Sequence, residues 1–321
     1  MAAPSTMHTA TFRLRPRPPF DFGAAVQYLT AFPATAGEQF SCGGQLVKAF
    51  REDGLTTVVR LTSAGTVEQP ELVGDVLAER PISGRSLARL VDRVGFWLGA
   101  DDDLTDFYKR ADDAFADLVD RLHGYHQVKF SSPLEALVWA ILVQRAPLHT
   151  ARKTKAGLLA QFGGELRLDG IDAAAFPDLA QLRSLSRRRL EQAIGSPSKA
   201  ALVDQAVAAF AQVDEDFLRT GDDAAVKRFL LDIPAIGPRS ASFVLLHGLG
   251  RTDELALDDE VTAGARQVYG LDLDAGDLRT LAEPYGPWAG YWAQYLRWGA
   301  EQALGAPQRP DSPLAASSSS K

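Results

Sequence analysis

From about residue 86 to residue 304 apolar side chains recur at helical spacing with few breaks, which commits most of the chain to packed helices. Leu87, Leu90, Val94 and Leu98 keep a 3.6-residue period, as do Phe115, Leu118, Val119 and Leu122. Ser132-Pro133 opens a helix over 134–143, a capping hydroxyl followed by proline at the first helical position. Further helices are expected at 150–162, 186–194, 198–212, 223–232, 240–248, 260–269, 275–283 and 288–304. Residues 9–80 differ. The runs 45–50 and 55–61 are strand-like, Glu52-Asp53-Gly54 reads as a turn, and 21–32 carries a helical pattern in Phe22, Val26 and Leu29. The chain is therefore expected to be mainly α with an N-terminal α+β domain built on a small antiparallel sheet. Its expected divisions are 9–112 for that domain, 113–253 for a helical domain and 254–305 for the last helices. Residues 1–8 and the Pro-, Ser- and Ala-rich 306–321 are expected to lack structure.

Composition narrows the function. Net charge is −7, which argues against holding nucleic acid by bulk charge but leaves room for an enzyme that neutralises a few phosphates. Cys42 is the single cysteine, so an internal disulfide, a multi-cysteine zinc site and a protein-ligated iron–sulfur cluster are excluded. No apolar run reaches the roughly 20 residues that span a bilayer, and the N-terminus lacks a secretory apolar core, so a cytoplasmic protein without membrane association is expected. His123 and His126 share a short turn but have no third ligand, and no metal is assigned to them. Positive charge is locally concentrated. Residues 136–164 hold Arg145, Arg152, Lys153 and Lys155 and no acid, and Arg183, Arg187, Arg188, Arg189 and Lys199 form a second basic stretch. Such faces are commonly just solvated, but a DNA-facing patch fits them as well.

The segment Phe229-Leu-Leu-Asp-Ile-Pro-Ala-Ile-Gly-Pro-Arg-Ser-Ala-Ser-Phe243 punctuates the helical run. An apolar helix ends at Ile233, a tight turn follows through Pro234, Ala235, Ile236 and Gly237, and Pro238 suits the first position of the next helix. Such a turn aims backbone N–H groups outward at the positive end of the second helix, which suits a phosphate oxygen, with Gly237 permitting close approach. A compact helical connection is the other reading.

From Leu230 to Ala241 this segment resembles the hairpin of helix-hairpin-helix DNA glycosylases, Leu-x-x-φ-Pro-Gly-φ-Gly-x-x-Thr/Ser-Ala with φ apolar. Ala235 replaces the first glycine, at a cost of about 1 kcal/mol if the position needs a positive φ. Resemblance to the alkylation-repair branch, 3-methyladenine DNA glycosylase II, runs over most of the chain. Leu104-Thr-Asp-Phe-Tyr108, His123-Gly124, Ser132-Pro-Leu-Glu-Ala-Leu-Val-Trp-Ala-Ile-Leu-Val-Gln144 and Glu283-Pro-Tyr-Gly-Pro-Trp-Ala-Gly-Tyr-Trp292 follow that family's order. The resemblance implies a helix-hairpin-helix glycosylase fold and base excision repair: a damaged base is flipped from duplex DNA and its N-glycosidic bond is hydrolysed by a chain that needs no partner subunit.

The resemblance also implies roles for single residues. Asp259 takes the position of the catalytic carboxylate. Breaking an N-glycosidic bond leaves positive charge on the sugar, which a fixed carboxylate stabilises while orienting or deprotonating the attacking water. Asp258 is then the helix cap or a solvated charge, whereas for a lone aspartate capping by Asp259 itself would be the default. Arg239 stands where bifunctional relatives carry a lysine nucleophile; a guanidinium stays protonated and forms no Schiff base, so a monofunctional enzyme is implied. Trp288, Phe243, Tyr291 and Arg239 are the implied pocket residues, with core packing the competing role for the aromatics. Ala235, Gly237, Arg239, Ser240, Gln144 and Arg145 are the implied DNA contacts, Arg145 filling the gap left by the flipped base. No cofactor is implied, apart from a monovalent cation that hairpin carbonyls could hold. Departures at Ala235, Val143, Arg239 and Glu260 keep two alternatives open: a non-catalytic damage-binding protein on this fold, and a glycosylase shifted to deaminated or etheno bases.

Overall fold

The computed structural model describes residues 7–305 except 36, 53, 169, 170 and 271. Five strands form an antiparallel sheet: β1 (His8–Leu14), β2 (Gln39–Cys42), β3 (Gln45–Glu52), β4 (Leu55–Ser63) and β5 (Leu72–Ala78), in the order β1-β5-β4-β3-β2. The two expected strands are the inner pair β3–β4, in register Gln45↔Thr62 to Glu52↔Leu55. In β5 the burial alternates, with Leu72, Gly74, Val76 and Ala78 inward. The space above Gly74 is filled by the ring of its cross-strand partner Phe12. β1 begins at His8, so residue 8 is ordered where an unstructured end was expected; residues 1–6 and 306–321 lie outside the described residues.

Against this sheet pack α1 (Phe22–Ala31), capped by Asp21, and α2 (Gly84–Leu98), capped by Ser83 and stopped at Gly99 with φ +66°. Next come α3 (Thr105–Lys109) and α4 (Asp113–Arg121). A second body follows: α5 (Pro133–Leu142), α6 (Leu148–Phe162), α7 (Leu179–Ser184), α8 (Arg187–Ile194), α9 (Pro197–Phe210), α10 (Glu215–Thr220), α11 (Asp223–Asp232) and α12 (Pro238–Leu249). Every residue of α5 is buried, which makes it the axis of this body. The chain then returns to the first core with α13 (Asp259–Tyr269), α14 (Ala275–Ala282) and α15 (Ala289–Gly305). Phe115, Leu118, Val119 and Leu122 belong to that first core with Val261, Leu278 and Trp292, so the division between cores falls after α4 and not at residue 113.

One element was absent from the expectations. Strands β6 (Gly164–Leu168) and β7 (Ile171–Ala175) form an antiparallel hairpin inside the helical region. Leu166, Ala173 and Ala175 bury against Val47, Ala49 and Val58 on the sheet face away from α1 and α2. Burial against a preformed apolar face outweighs the weak strand preference of Ile-Asp-Ala-Ala-Ala.

Lys155 also departs from expectation. Its side chain is buried beside Glu135 Oε1 at 2.6 Å and Glu38 Oε1 at 2.5 Å, and Nζ donates to the Ala34 carbonyl at 2.9 Å. It therefore ties α6 to α5 and to the segment between α1 and β2 and cannot meet DNA. Burial pushes Glu38 up to about 7, while burial opposes but Lys155 and Lys48 prevail at Glu135, holding it at about 2. Among the described residues no helix is long and apolar enough to cross a membrane.

Candidate active site

The two bodies face each other across a cleft of about 960 Å³, with α5 and α12 on one wall and α13, α14 and α15 on the other. The first wall is set by the hairpin. α11 is capped by Asp222 and ends at Ile233, whose N–H bonds the Leu230 carbonyl at 3.2 Å; Ile236 N–H then reaches back to the Ile233 carbonyl at 3.0 Å. Ala235 takes the sharp corner with φ +67°, so the strain expected there is present, whereas Gly237 has an ordinary φ of −85°. Gly237 caps α12 without a side-chain bond, and Pro238 contributes no N–H. The amides of Arg239 and Ser240 are therefore open at the positive end of α12, and no atom lies within 4 Å of a Cβ placed on Gly237. The Ile233 and Ala235 carbonyls already accept hydrogen bonds from Ile236 N and Gln144 Nε2, so a monovalent cation at this turn would share its oxygens with those donors.

Gln144, just past α5, donates from Nε2 to the Ala235 carbonyl at 2.9 Å. The next residue, Arg145, is exposed with φ +49°. Two adjacent loops thus hold non-glycine residues in the left-handed region at the mouth of one cleft, a concentration of strain that marks functional sites.

The opposite wall separates the two aspartates. Asp258 is the N-cap of α13: its Oδ1 accepts the Val261 N–H at 3.0 Å, and its other oxygen pairs with Arg297 of α15. Arg297 is 7 % exposed; burial opposes its charge, but the Asp258 carboxylate outweighs it and holds the pKa up, and Arg297 also donates to Gln294 Oε1 at 2.8 Å. Asp259 is the first residue of α13, lines the cleft, is exposed, and has no hydrogen-bond or ion-pair partner among the described residues. Capping by Asp259 is thereby excluded, because its neighbour performs that task. The loop leading to it is held by Glu254, which accepts from Ser242 Oγ at 2.5 Å and from Lys227 Nζ at 2.8 Å.

Comparison with solved structures places this arrangement. The 3-methyladenine DNA glycosylase of Archaeoglobus fulgidus superposes with a TM-score of 0.74 at 19% identity, over 90% of this chain and 98% of that one. The structure of MBOgg1 with a low-affinity DNA ligand gives 0.69 at 16% identity, over 94% of this chain and 100% of that one. The Clostridium acetobutylicum 8-oxoguanine glycosylase/lyase bound to DNA gives 0.68 at 16%, over 93% and 98%. The chain has the fold of the helix-hairpin-helix DNA glycosylases. By sequence it is 24% identical over 296 residues to the probable bifunctional transcriptional activator/DNA repair enzyme AlkA of Mycobacterium tuberculosis, which covers 92% of this chain. This chain spans 58% of the length of that relative. No family model matches.

Within this glycosylase fold the expected residues divide. Asp259, Arg239, Phe243, Ala235, Ser240, Gln144 and Arg145 all line the cleft, and Gly237 lies at the open end of the hairpin beside it. Phe243 is half-buried, its ring 4.7 Å from that of His247 and 5.8 Å from that of Phe130. Trp288 and Tyr291 are not among the lining residues. Tyr291 is fully buried: its hydroxyl donates to Asp102 and accepts the Gln127 N–H at 3.0 Å, and burial pushes its pKa far up. Trp288 packs beside Tyr291 and Phe107, at 5.6 and 6.4 Å between ring centroids. Tyr291 is thus a core aromatic, and Trp288 is half-buried at the edge of the same core.

Other expectations change too. Lys199 donates to the Leu142 carbonyl at 2.5 Å and so finishes α5, Arg187 pairs with Glu191, and Arg189 lies over Phe162. Arg152, Lys153, Arg183 and Arg188 remain exposed. His123 pairs with Glu68, and His126 bonds the Gly99 and Pro19 carbonyls. Two charged cleft residues escaped the sequence reading, Arg279 and Arg297. Arg297 had a signal: a lone cation inside the apolar run Ala289–Gly305 needs a buried partner.

Proposed function

We propose that the protein is a monofunctional DNA glycosylase of the alkylation-repair kind, which excises damaged purines from duplex DNA in base excision repair, acting as a cytoplasmic monomer. The observation that carries this is the partnerless carboxylate of Asp259, held at the first turn of α13 and facing the open amides of a DNA-binding type of hairpin across one cleft.

The hairpin amides take phosphate, and Arg145 enters the stack as the damaged nucleotide swings into the cleft. Water adds to C1′ as the C1′–N bond breaks, and the bond's electron pair leaves with the base. Asp259 stabilises the positive charge on the sugar and takes the proton of the attacking water. No lysine lines the cleft, so no amine competes with water for C1′, which supports hydrolysis without strand cleavage even though a glycosylase/lyase shares the fold.

The test is base release from methylated duplex DNA by wild type and Asp259→Asn, with alkali and heat revealing abasic sites. Release by wild type alone, with Asp259→Asn still binding an abasic-site analogue, is the expected result. Tight binding without release by wild type would make the protein a damage-binding module, and equal loss of binding and release in Asp259→Asn would make the residue structural.

A further inference from the structure

We propose that this cleft favours neutral purine lesions carrying a C6 carbonyl over ring-alkylated cationic purines, and that Arg239 determines the preference. The proposal rests on the glycosylase reading above and deepens it.

The lining holds four guanidinium groups, Arg145, Arg239, Arg279 and Arg297, against two carboxylates. Arg297 and Asp258 neutralise each other, which leaves Asp259 facing three cations. Arg279 donates to a carbonyl of its own helix, while Arg239 and Arg145 have no partner among the described residues. Phe243 is the single aromatic among the described residues of the lining: Tyr291 is buried in the core, and Trp288, half-buried against it, lies outside the cleft. A cationic base is held by electron-rich faces, of which this cleft offers one, and is repelled by nearby guanidinium charge.

A neutral 6-oxopurine presents the opposite chemistry. Its O6 and N7 are adjacent acceptors, the pair an arginine fork meets when it reads guanine. The reaction itself adds a second reason. A cationic base departs neutral and needs no further electrophile. A neutral base departs as an anion, carrying the bonding pair on its ring nitrogen until it gains a proton from solvent. Arg239, protonated throughout, lies at the second position of α12, where its charge and the positive end of the helix both stabilise that anion.

The competing role for Arg239 is a phosphate contact, which would weaken binding to every duplex alike. Single-turnover excision from duplexes containing hypoxanthine or 7-methylguanine, each rate taken relative to spontaneous loss, separates the two. Wild type is expected to give the larger enhancement on hypoxanthine. Arg239→Leu should lower that rate roughly ten- to a hundredfold more than it lowers 7-methylguanine release, the discrimination a bidentate pair supplies. Arg239→Lys, which keeps charge without the fork, should fall between. Equal losses on both lesions with weaker binding to undamaged duplex would overturn the proposal in favour of a phosphate contact. A wild-type preference for 7-methylguanine would overturn it while leaving the glycosylase reading intact; release of neither base would overturn both.

Discussion

Replacing Gly264 with alanine tests how α13 is held. The helix carries Asp259 at its first residue and lies against α15, and Gly264 marks their closest approach. A Cβ there would stand 2.1 Å from the Leu296 carbonyl oxygen and 2.6 Å from its carbon. Those are backbone atoms of a buried helix, so no rotamer change relieves the overlap; α13 must shift by about 1 Å to restore ordinary contact. Overpacking of this severity costs about 3 kcal/mol, and the better helix propensity of alanine returns about 1 kcal/mol. The net expectation is a loss of about 2 kcal/mol, read as a lower urea midpoint at unchanged slope. The chemical step should suffer more than stability. A carboxylate misplaced by about 1 Å loses on the order of a hundredfold in rate, so folded Gly264→Ala protein should excise poorly while still binding abasic DNA. An unchanged or higher midpoint together with full excision would refute the close approach of α13 and α15.

The buried charges give a pH prediction. Glu38 is raised to about 7 by burial, so the folded state keeps its proton where the unfolded chain, with an ordinary value of 4.5, has released it. Stability therefore falls as pH rises from about 4.5 to 7, by up to about 1.4 kcal/mol per pH unit, and Glu38→Gln should flatten that slope in chemical denaturation. Glu135 has the opposite sign: with its pKa lowered to about 2, its contribution is complete above about 4.5 and lost as pH falls towards 2, and Glu135→Gln at neutral pH should cost about 3–5 kcal/mol by leaving Lys155 underpaired. Arg145→Ala should weaken binding to damaged duplex by about tenfold with less effect on single strands, measured by fluorescence anisotropy; unchanged duplex affinity would remove Arg145 as the residue that fills the stack.

Much of this was legible from residue order. The helices from α5 onward follow from apolar spacing and from caps such as Ser132 and Asp222, since both signals act within a few residues. The hairpin and the pair Asp258-Asp259 were legible as a pattern, though only the Arg297 contact, 39 residues away, shows which aspartate is left free. What escaped was decided by tertiary burial. The β6–β7 hairpin has little strand preference of its own and is held by the sheet beneath it. Trp288 and Tyr291 sit at spacings that serve a pocket or a core equally well, and the partners they meet, Phe107 and Asp102, lie far upstream, Asp102 by 189 residues from Tyr291. Lys155 and Lys199 read as surface charge because sequence does not reveal that a carboxylate or a helix end waits within reach.

The hydrogen bond from Gln144 to the Ala235 carbonyl has a mechanical consequence. It fastens the loop bearing Arg145 to the turn with the open α12 amides, so the two form one stiff part. On the proposed function, a backbone seized at the hairpin leaves Arg145 no slack in which to retreat, and any bend imposed on the duplex is delivered to a single step of the base stack. A chain with seven excess negative charges has little bulk attraction for DNA, and on that reading such gearing would let a small grip open a base pair.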